Sequence, residues 1–406
     1  MKIALLTNEY PPNIYGGAGV HIEYLSRELA RLDERKHHLE VLCFGDQDEV
    51  ADNLAVKGIH PAFEHTARDA RHLKLFDTLT RDTLMASVIK EADIVHCHTW
   101  YTHFAGWLIK QLFGIPLLLT THSLEPHRPW KAEQLGTAYN VSSWLEKTAY
   151  QNADGVIAVS RSMKDDVQRL YNVPPEKIRV IYNGIDLDEY RPRPDPAVLA
   201  HYAIRPDKPF ILFVGRITRQ KGIIHLVNAI KYLRTGIRVV LCAGAPDTAE
   251  IEQEMKECVD RARSETENEI VWIPEIVPKD KIVSLYTHAS LFVCPSVYEP
   301  FGIINLEAMA CETPVVATAV GGITEVVIPD ETGILVPFEP AGADDFAPKE
   351  PERFSRDLAY AINSLISSPE RLARMGAASR KRVEEHFSWT AIARQTLEFY
   401  ESVRNQ

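Results

Sequence analysis

Short apolar runs alternate along this chain with longer segments whose apolar residues recur at helical spacing. The first half carries six such runs, at residues 2–7, 39–44, 93–97, 116–120, 155–159 and 178–182. The second half carries six more, at residues 210–214, 238–242, 270–273, 290–294, 314–317 and 333–336. Runs this short and apolar are typical of strands covered by helices on both faces. The pattern therefore predicts an α/β protein with two doubly wound parallel sheets.

The sequence predicts a domain boundary near residue 190, with domains at residues 1–190 and 191–387. A chain of 406 residues is too long for one core. The proline-rich stretch that begins at Arg191 predicts a stiff connection, so that the second unit starts at about Pro209. The last helix, about residues 388–406, is amphipathic, and its apolar stripe contains Trp389, Ile392, Ala393, Thr396, Leu397 and Tyr400.

Composition excludes several classes of partner. The net charge is −11, and no basic patch interrupts it, so neither nucleic acid nor an anionic membrane is an expected partner. The apolar run before Asn8 and Glu9 is too short for a signal peptide or a membrane span. Six scattered cysteines without a C-x-x-C pair indicate small buried residues in a reducing cytoplasm: Cys43, Cys97, Cys242, Cys258, Cys294 and Cys311.

Two glutamates, Glu299 and Glu307, carry the most informative pattern. Glu299 follows the apolar run at 290–294, and Glu307 lies about one turn inside a predicted helix. A strand-to-helix turn leaves free N–H groups, expected here at Phe301, Gly302, Ile303 and Ile304. Carboxylates and helix N-termini both suit sugar hydroxyls and phosphates. Taken alone, a capping carboxylate and a solvated helix residue are an equally good interpretation.

Two cations follow the first strand of the second unit. Arg216 and Lys221 come directly after an apolar run that ends at Gly215. A planar guanidinium and a point-charged ammonium suit a diphosphate whose charge grows as its bond to a sugar breaks. The commoner meaning of such a run is a solvated basic turn. Its position at the carboxyl end of a parallel strand, like that of Glu299, favours the phosphate interpretation.

A glycine-bearing loop follows the first strand of the chain. Gly16 and Gly17 stand before the helix that holds Ile22 and Leu25, and glycines there let backbone amides approach a phosphate. The spacing does not fit a dinucleotide fingerprint, because the loop is too long and the next strand ends without a ribose-binding acid. The Walker lysine pattern is also absent from the sequence.

These three motifs, in this order, resemble the signatures of retaining, nucleotide-sugar-dependent glycosyltransferases with the GT-B fold. The stretches 95–106 and 121–136 further resemble bacterial glycogen synthases of the actinobacterial kind, some of which make maltose 1-phosphate from a nucleotide-glucose and glucose 1-phosphate. The resemblance runs from Met1 to about Phe399. His127 departs from the subgroup, in which an aliphatic residue is usual, and this leaves the acceptor open.

The resemblance implies two Rossmann-like domains that face a deep cleft, with the acceptor on the first and the nucleotide-sugar on the second. It implies that the final helix crosses back onto the first domain, and that His122 lies near the anomeric carbon. Glu307 is expected to hold the ribose and Glu299 the sugar hydroxyls. Closure about residues 185–208 is expected to exclude water.

The histidines and a basic loop supply the remaining candidates. A metal at His96, His98 and His103 is a weak interpretation, because no carboxylate or cysteine stands at ligand spacing. His122 alone is equally a packed histidine. Five residues are predicted to face the acceptor, although the last three are equally an exposed loop: His98, Trp100, Arg128, Trp130 and Lys131.

The sequence therefore predicts a metal- and cofactor-independent, cytoplasmic retaining glucosyltransferase, with a homodimer possible. The donor is a nucleotide-glucose, with ADP-glucose favoured, and the acceptor is an α-1,4-glucan end or glucose 1-phosphate. Another small acceptor, as in sucrose-type synthesis, remains an alternative. A nucleotide-sugar epimerase and a non-catalytic glucan-binding protein are the rivals from other classes. An epimerase needs an acid/base carboxylate pair in the first domain, and a binding protein is expected to lose Arg216, Lys221 or Glu299.

Overall fold

The computed structural model describes residues 1–14, 16–342 and 345–405. The chain forms two compact units, one of residues 1–184 together with the segment from Trp389 onward, and one of residues 185–388. Each unit is built on a mainly parallel sheet flanked by helices. The predicted class, an α/β protein with two parallel-sheet domains, is confirmed.

The first unit contains an eight-stranded sheet in the order β3-β4-β2-β1-β5-β6-β7-β8. All neighbours are parallel except β3 and β4, which form an antiparallel edge. Its strands are β1 (Lys2–Thr7), β2 (His38–Phe44), β3 (Asp48–Ala51), β4 (Leu54–Ile59), β5 (Ile94–His98), β6 (Leu117–Thr121), β7 (Gly155–Ala158) and β8 (Ile178–Val180). Strands β5, β6 and β7 are buried along their whole length, because helices cover both faces.

Helices cover the first sheet and turn their apolar stripes toward it. They are α1 (Gly17–Arg31), α2 (Leu73–Val88), α3 (His103–Phe113), α4 (Lys131–Leu135), α5 (Ala138–Asn152) and α6 (Arg161–Tyr171). In α1, Ile22, Leu25 and Leu29 are fully buried and recur at helical spacing. Arg31 lies in the last turn of the same helix, where a cation is favoured by the helix dipole.

The second unit contains a six-stranded parallel sheet in the order β11-β10-β9-β12-β13-β14. Its strands are β9 (Phe210–Arg216), β10 (Arg238–Gly244), β11 (Ile270–Ile273), β12 (Leu291–Cys294), β13 (Val315–Thr318) and β14 (Gly333–Val336). The strand order reverses between β9 and β12, so the connections leave these two neighbours toward opposite sides of the sheet. Such a reversal opens a crevice at the carboxyl edge of an α/β sheet.

The helices of the second unit are α7 (Pro196–His201), α8 (Ile223–Ala229), α9 (Ala249–Glu265), α10 (Lys279–His288), α11 (Ile303–Ala310), α12 (Ile323–Val326), α13 (Pro351–Ile366) and α14 (Pro369–His386). The proline-rich segment before α7 is not a free connection. The Arg193 N–H donates to Thr287 Oγ1 over 3.0 Å, and Ser284 Oγ donates to the Asp195 carbonyl over 3.3 Å. The second unit therefore begins at Ile185, earlier than the expected Pro209.

The last helix, α15 (Trp389–Arg404), belongs to the first unit and packs on α1. The Trp389 ring stacks on Tyr24 with centroids 5.6 Å apart. The Tyr400 hydroxyl lies 2.6 Å from Nδ1 of His96 on β5. The helix therefore completes the core of the first unit.

The twelve strands predicted from the apolar runs are present, and the structure adds the β3–β4 hairpin. Strand β3 is exposed throughout, so it lacks the apolar run that marks the other strands. All six cysteines are buried and free. Between β14 and α13, Ala343 and Asp344 lie outside the described residues. Among the described helices, none combines the length and apolar character needed to cross a bilayer.

One buried histidine in the first unit has no hydrogen-bond partner among the described residues. His103 begins α3, is 1% exposed, and packs edge-on against Tyr150. Burial lowers the pKa of His103 to about 3. As the pH falls below the ordinary value of about 6.5, the unfolded chain binds this proton and the native chain does not. Stability is therefore lost on acidification until the pH reaches the native pKa.

We expect His103→Phe to make the first unit more resistant to acid. Between pH 7 and pH 5, wild type should lose about 2 kcal/mol of unfolding free energy through this histidine, and the variant should not. Hydrogen exchange of the β5 and β6 amides at both pH values measures the difference. His38→Gln, which alters an exposed histidine of the same unit, is the control. Equal losses in His103→Phe and wild type would contradict the assignment.

Candidate active site

The carboxyl ends of β9 and β12 bring a lysine and a glutamate together in the second unit. The two strands are hydrogen-bonded neighbours and run parallel, so their exits lie at one edge. Lys221 Nζ lies 2.7 Å from Glu299 Oε2, and Ser296 Oγ donates to the same carboxylate oxygen over 3.2 Å. The side chains of Lys221 and Glu299 are 20% and 9% exposed. Lys221, predicted to bind a phosphate, and Glu299, predicted to bind the sugar, therefore form an ion pair with each other in this structure.

Close backbone packing fixes the loop that carries Lys221. The Val297 N–H donates to the Gln220 carbonyl over 3.0 Å, which joins the loops after β9 and β12. Gly222 has φ +61°, and a Cβ there would lie 2.1 Å from the Pro295 carbonyl oxygen. Only glycine fits this approach and this backbone conformation. The pair is therefore positioned by backbone geometry as well as by charge.

The Lys221 ammonium stays protonated at neutral pH. Burial alone would lower the pKa of Lys221, but the Glu299 carboxylate outweighs that effect and raises the pKa above its usual value. A permanent cation at a strand exit is suited to stabilising a phosphate.

Arg216, the last residue of β9, also has a carboxylate partner. Its NH1 group lies 2.8 Å from Asp247 Oδ1. Arg216 pairs in register with Gly244 at the end of β10, and Asp247 lies three residues beyond that strand end. The role of Asp247 was not predictable from the sequence, because it depends on which strand lies beside β9. The two predicted cations thus reach the same sheet edge, each beside an acid.

The turn after Glu299 forms the N-terminus of α11 as predicted. Gly302 caps the helix with φ +98°, and a Cβ there would lie 2.5 Å from Asn305 Nδ2. Within the described chain, the N–H groups of Gly302, Ile303 and Ile304 donate to no acceptor. These groups are available to a ligand oxygen.

Glu307 lies in the second turn of α11 and is held by two tyrosines. The Tyr190 hydroxyl donates to Oε1 over 3.2 Å, and the Tyr286 hydroxyl donates to Oε2 over 3.0 Å. Burial raises the pKa of Glu307, and the two tyrosine hydroxyls partly offset that effect. Both tyrosines were missed, since Tyr190 lies far from Glu307 in sequence and Tyr286 is on α10.

In the first unit, the glycine loop already contacts an acid. Gly16 caps α1, and its N–H donates to Glu9 Oε2 over 2.9 Å. Glu9 is 5% exposed, and a Cβ at Gly19 would lie 2.7 Å from the same oxygen. The amide of Gly16, predicted to bind phosphate, is thus bonded to a carboxylate here. Glu9 lies in the same loop, but nothing in its spacing from Gly16 predicted this contact.

Three histidines gather where β5 and β6 end. His98 is the last residue of β5, His122 directly follows β6, and His21 lies on α1. His98 Nδ1 lies 3.0 Å from His122 Nε2, and His21 Nδ1 lies 2.7 Å from Asn183 Oδ1. Parallel pairing of β5 with β6 explains the first contact. The sequence contained one indication that His21 lies near a site, namely its position four residues after Gly17 of the glycine loop.

All three imidazoles of this histidine cluster, His21, His98 and His122, are neutral at pH 7. Burial lowers the pKa of His21 to about 4, although the Asn183 contact acts in the opposite direction. Burial, with smaller repulsion from neighbouring histidines, lowers the pKa values of His98 and His122 well below the usual range. His122 is the partly exposed member and gives the cluster access to solvent.

The predicted acceptor residues lie in different environments. Trp100 is 3% exposed and packs in an apolar cluster against Tyr101, so burial does not favour an acceptor role. Arg128 and Trp130 are half-buried, and Lys131 is 8% exposed, so they do not form an exposed loop. Arg128 NH1 donates to Ser123 Oγ over 3.2 Å, which places its guanidinium beside the residue after His122.

Comparison with known proteins adds a family assignment. A model described as Glycosyltransferase Family 4 matches residues 15–189, and one described as Glycosyl transferases group 1 matches residues 197–382. The chain is 46% identical over 407 residues to an α-maltose-1-phosphate synthase of Mycolicibacterium smegmatis, covering 99% of this chain and 100% of that protein. It is 28% identical over 429 residues to a glycogen synthase of Mycobacterium tuberculosis, covering 98% and 94%.

Among solved structures, a sucrose-phosphate synthase from Thermosynechococcus elongatus matches with a TM-score of 0.78 at 26% identity, covering 99% of this chain and 98% of that one. The two α/β units of this chain agree with the two family models, which match one region in each half of the chain. The chain therefore belongs to the GT-B glycosyltransferases, in the family that includes the α-maltose-1-phosphate synthases.

Proposed function

We propose that this protein is a retaining glucosyltransferase that moves glucose from a nucleotide-glucose, with ADP-glucose favoured, to glucose 1-phosphate. The product would be α-maltose 1-phosphate. The observation that carries the proposal is the 46% identity over the full chain to a protein named for that product, against 28% for a glycogen synthase. Elongation of an α-1,4-glucan is the second candidate, and that weaker similarity supports it.

Arg216 and Lys221 are assigned to the leaving diphosphate. Negative charge develops on the phosphate oxygens as the glycosidic bond breaks, and fixed cations stabilise that charge in the transition state. Both cations are paired with a carboxylate in this structure, so binding of the donor exchanges or extends these pairs. This role supplies the charge stabilisation that a divalent ion often lends, and we propose that transfer needs neither a metal nor a cofactor.

Glu299 and the N-terminus of α11 are assigned to the transferred glucose. The N–H groups from Phe301 to Ile304 point from a helix start, where oxygen ligands are favoured. Glu307 is assigned to the ribose. Its two tyrosine contacts leave further acceptor sites on each oxygen, because a carboxylate oxygen accepts more than one hydrogen bond.

Gly16 and Gly17 are assigned to the phosphates of the donor. The Glu9 contact supports an anion-binding role, because the Gly16 N–H already donates a hydrogen bond to a carboxylate oxygen. A phosphate competing for that amide must displace Glu9 or bind beside it through the Gly17 N–H.

Arg128 and Lys131 are assigned to the phosphate of the acceptor, and Trp130 and His98 are kept as further candidates for acceptor binding. The Nε–H of Arg128 is buried and donates to no acceptor among the described residues. A buried donor without a partner is costly, and an anionic ligand would relieve that cost. A neutral glucan end offers no such counter-charge.

His122 is assigned to the transferred glucose near its anomeric carbon. No residue of the site is an obvious covalent nucleophile, so attack from the same face as the departing phosphate is the proposed route. The phosphate would accept the proton of the attacking hydroxyl. Such chemistry in a cytoplasmic protein requires water to be excluded from the site.

A matrix of donors and acceptors tests the proposal. ADP-glucose, UDP-glucose and GDP-glucose are each combined with glucose 1-phosphate, glycogen and fructose 6-phosphate. We expect the highest transfer with glucose 1-phosphate. Preferred extension of glycogen would replace the proposal by polymer synthesis, fructose 6-phosphate would indicate sucrose-type synthesis, and isomerised donor sugar would indicate an epimerase. If no donor and acceptor pair reacts, the result would favour a non-catalytic glucan-binding protein.

Replacing Lys221 should separate catalysis from stability. Lys221→Ala should lower turnover roughly a hundredfold or more. It also leaves Glu299 buried without its partner, which should cost up to about 3 kcal/mol of stability. Steady-state kinetics and chemical denaturation measure the two effects. Arg219→Ala, on the same loop but about half exposed, is the control and should match wild type.

A double variant, Lys221→Met with Glu299→Gln, should regain stability without regaining turnover, because it removes both charges of the pair. Wild-type turnover in a folded Lys221→Ala protein would refute the phosphate assignment.

Removal of metals should leave transfer intact. Activity in excess EDTA should equal that of the untreated protein, since fixed cations carry the charge stabilisation. Loss of activity on chelation that Mg²⁺ or Mn²⁺ restores would show that a metal carries this role instead.

The acceptor assignment is tested by Arg128→Ala combined with Lys131→Ala. We expect the KM for glucose 1-phosphate to rise at least tenfold, because two phosphate partners are lost, and the KM for the nucleotide-glucose to change little. Lys147→Ala, an exposed lysine on α5, is the control. A parallel rise of both KM values would indicate that the loop has a structural role only.

A further inference from the structure

His21, a residue with no role in the proposed mechanism, presents an unused ring nitrogen to the histidine cluster. His21 is 2% exposed, and its Nε2 has no partner among the described residues. One nitrogen from each of His21, His98 and His122 lies within 4.8 Å of the others. Buried polar atoms without partners in a native protein require an explanation.

The environment of His21 fixes its tautomer. Its Nδ1 lies 2.7 Å from Asn183 Oδ1, so Nδ1 carries the proton and donates it to the amide oxygen. The lone pair is then on Nε2, the atom without a partner. Metal-binding histidines are held in this way, with one ring nitrogen donating to an oxygen and the other free to coordinate.

The distance between the other two histidines suits a tetrahedral ion. His98 Nδ1 and His122 Nε2 are 3.0 Å apart. Two nitrogens that coordinate one Zn²⁺ at the usual 2.0–2.1 Å are separated by roughly 3.3 Å in a tetrahedral site. An ion between them would replace the single proton that they share. The His21 ring must then rotate slightly, because 4.8 Å exceeds that separation.

His96, the next histidine on the same face of β5, cannot join. Its Nδ1 contacts the Tyr400 hydroxyl at 2.6 Å, and its Nε2 contacts Thr120 Oγ1 at 2.7 Å. Both nitrogens are therefore already used. The structural set, His21, His98 and His122, shares only His98 with the set considered from the sequence. His21 was not predictable as a member, because it comes from α1.

We propose that His21, His98 and His122 form a binding site for a divalent transition-metal ion of the Zn²⁺ class. Three neutral imidazoles with no carboxylate favour Zn²⁺, Co²⁺ or Ni²⁺ over Mg²⁺, which prefers oxygen ligands. The fourth position is left to water, which reaches the cluster through the partly exposed His122. The ion has no part in sugar transfer.

Occupation of this site should block transfer. This consequence rests on the proposed function, in which His122 contacts the transferred glucose. An ion bound to His122 removes that contact and places a positive charge where the sugar must lie. The site would make the protein sensitive to excess zinc, and chelation would reverse the effect.

Binding is tested on the full-length protein without substrate. Calorimetry with ZnCl₂ should give one tight site per chain, and Co²⁺ should show the intense visible absorption of a four-coordinate ion. MgCl₂ should give neither signal. His21→Phe, which keeps an aromatic ring against Trp389, should weaken zinc binding by more than the roughly 10- to 100-fold that loss of an outer partner costs. Asn183→Ala should weaken it by about 10- to 100-fold.

His103→Phe is the matched control, because it removes a buried histidine of the same unit that lies outside the set. It should bind zinc like wild type. His122→Gln, at the partly exposed member, should lose the site even if His21→Phe fails to fold. Unchanged affinity in folded His21→Phe or His122→Gln, or no binding by wild type, would overturn the proposal.

Activity measurements separate this inference from the proposed function. If zinc binds as described and inhibits transfer, with EDTA restoring it, both halves of the proposal hold. If zinc binds but transfer continues unchanged, the inhibitory half is wrong while the site stands. If wild type transfers no sugar at all, the proposed function fails, and the binding result still decides the metal site.

Discussion

The buried ion pair between Lys221 and Glu299 is the interaction on which the candidate site of the second unit depends. Taking two charges out of water costs more than their attraction commonly returns, so such pairs are weak contributors to stability. This pair exists because parallel pairing of β9 with β12 brings two strand exits to one edge, and because the loops after them are hydrogen-bonded to each other. The pair therefore does more for binding than for stability, since it holds a permanent cation and a carboxylate at an edge where a phosphorylated sugar can bind to both.

The same constraint organises the first unit. Strands β5 and β6 end side by side, and their ends carry His98 and His122. Burial keeps these rings neutral, so this edge offers uncharged hydrogen-bonding groups where the second unit offers fixed charges. In the proposed mechanism, the cations Arg216 and Lys221 of the second unit are accordingly assigned to the leaving diphosphate, and the neutral His122 of the first unit is assigned to the transferred glucose.

The features that depend on short stretches of sequence were predictable. Apolar runs located twelve strands, and the turn chemistry around Gly302 predicted the start of α11. Partners that depend on strand order or on distant packing were not predictable. Asp247 reaches Arg216 only because β10 lies beside β9, and Tyr190 reaches Glu307 from the predicted domain boundary, to which the sequence assigned no binding role. The β3–β4 hairpin was missed because β3 is exposed and lacks an apolar run, and Trp100 proved to be deeply buried.

The stereochemistry of transfer tests the central claim most directly. That claim is that transfer retains the α configuration of the donor, as expected when fixed cations let the phosphate depart and a hydroxyl attacks from the same face. Proton NMR of the product formed from an α-linked nucleotide-glucose and glucose 1-phosphate reports the configuration of the new bond as it forms. The account predicts an α-1,4 linkage from the first turnover, in the presence of EDTA. A β-linked product, or glucose released to water in place of a disaccharide phosphate, would contradict it.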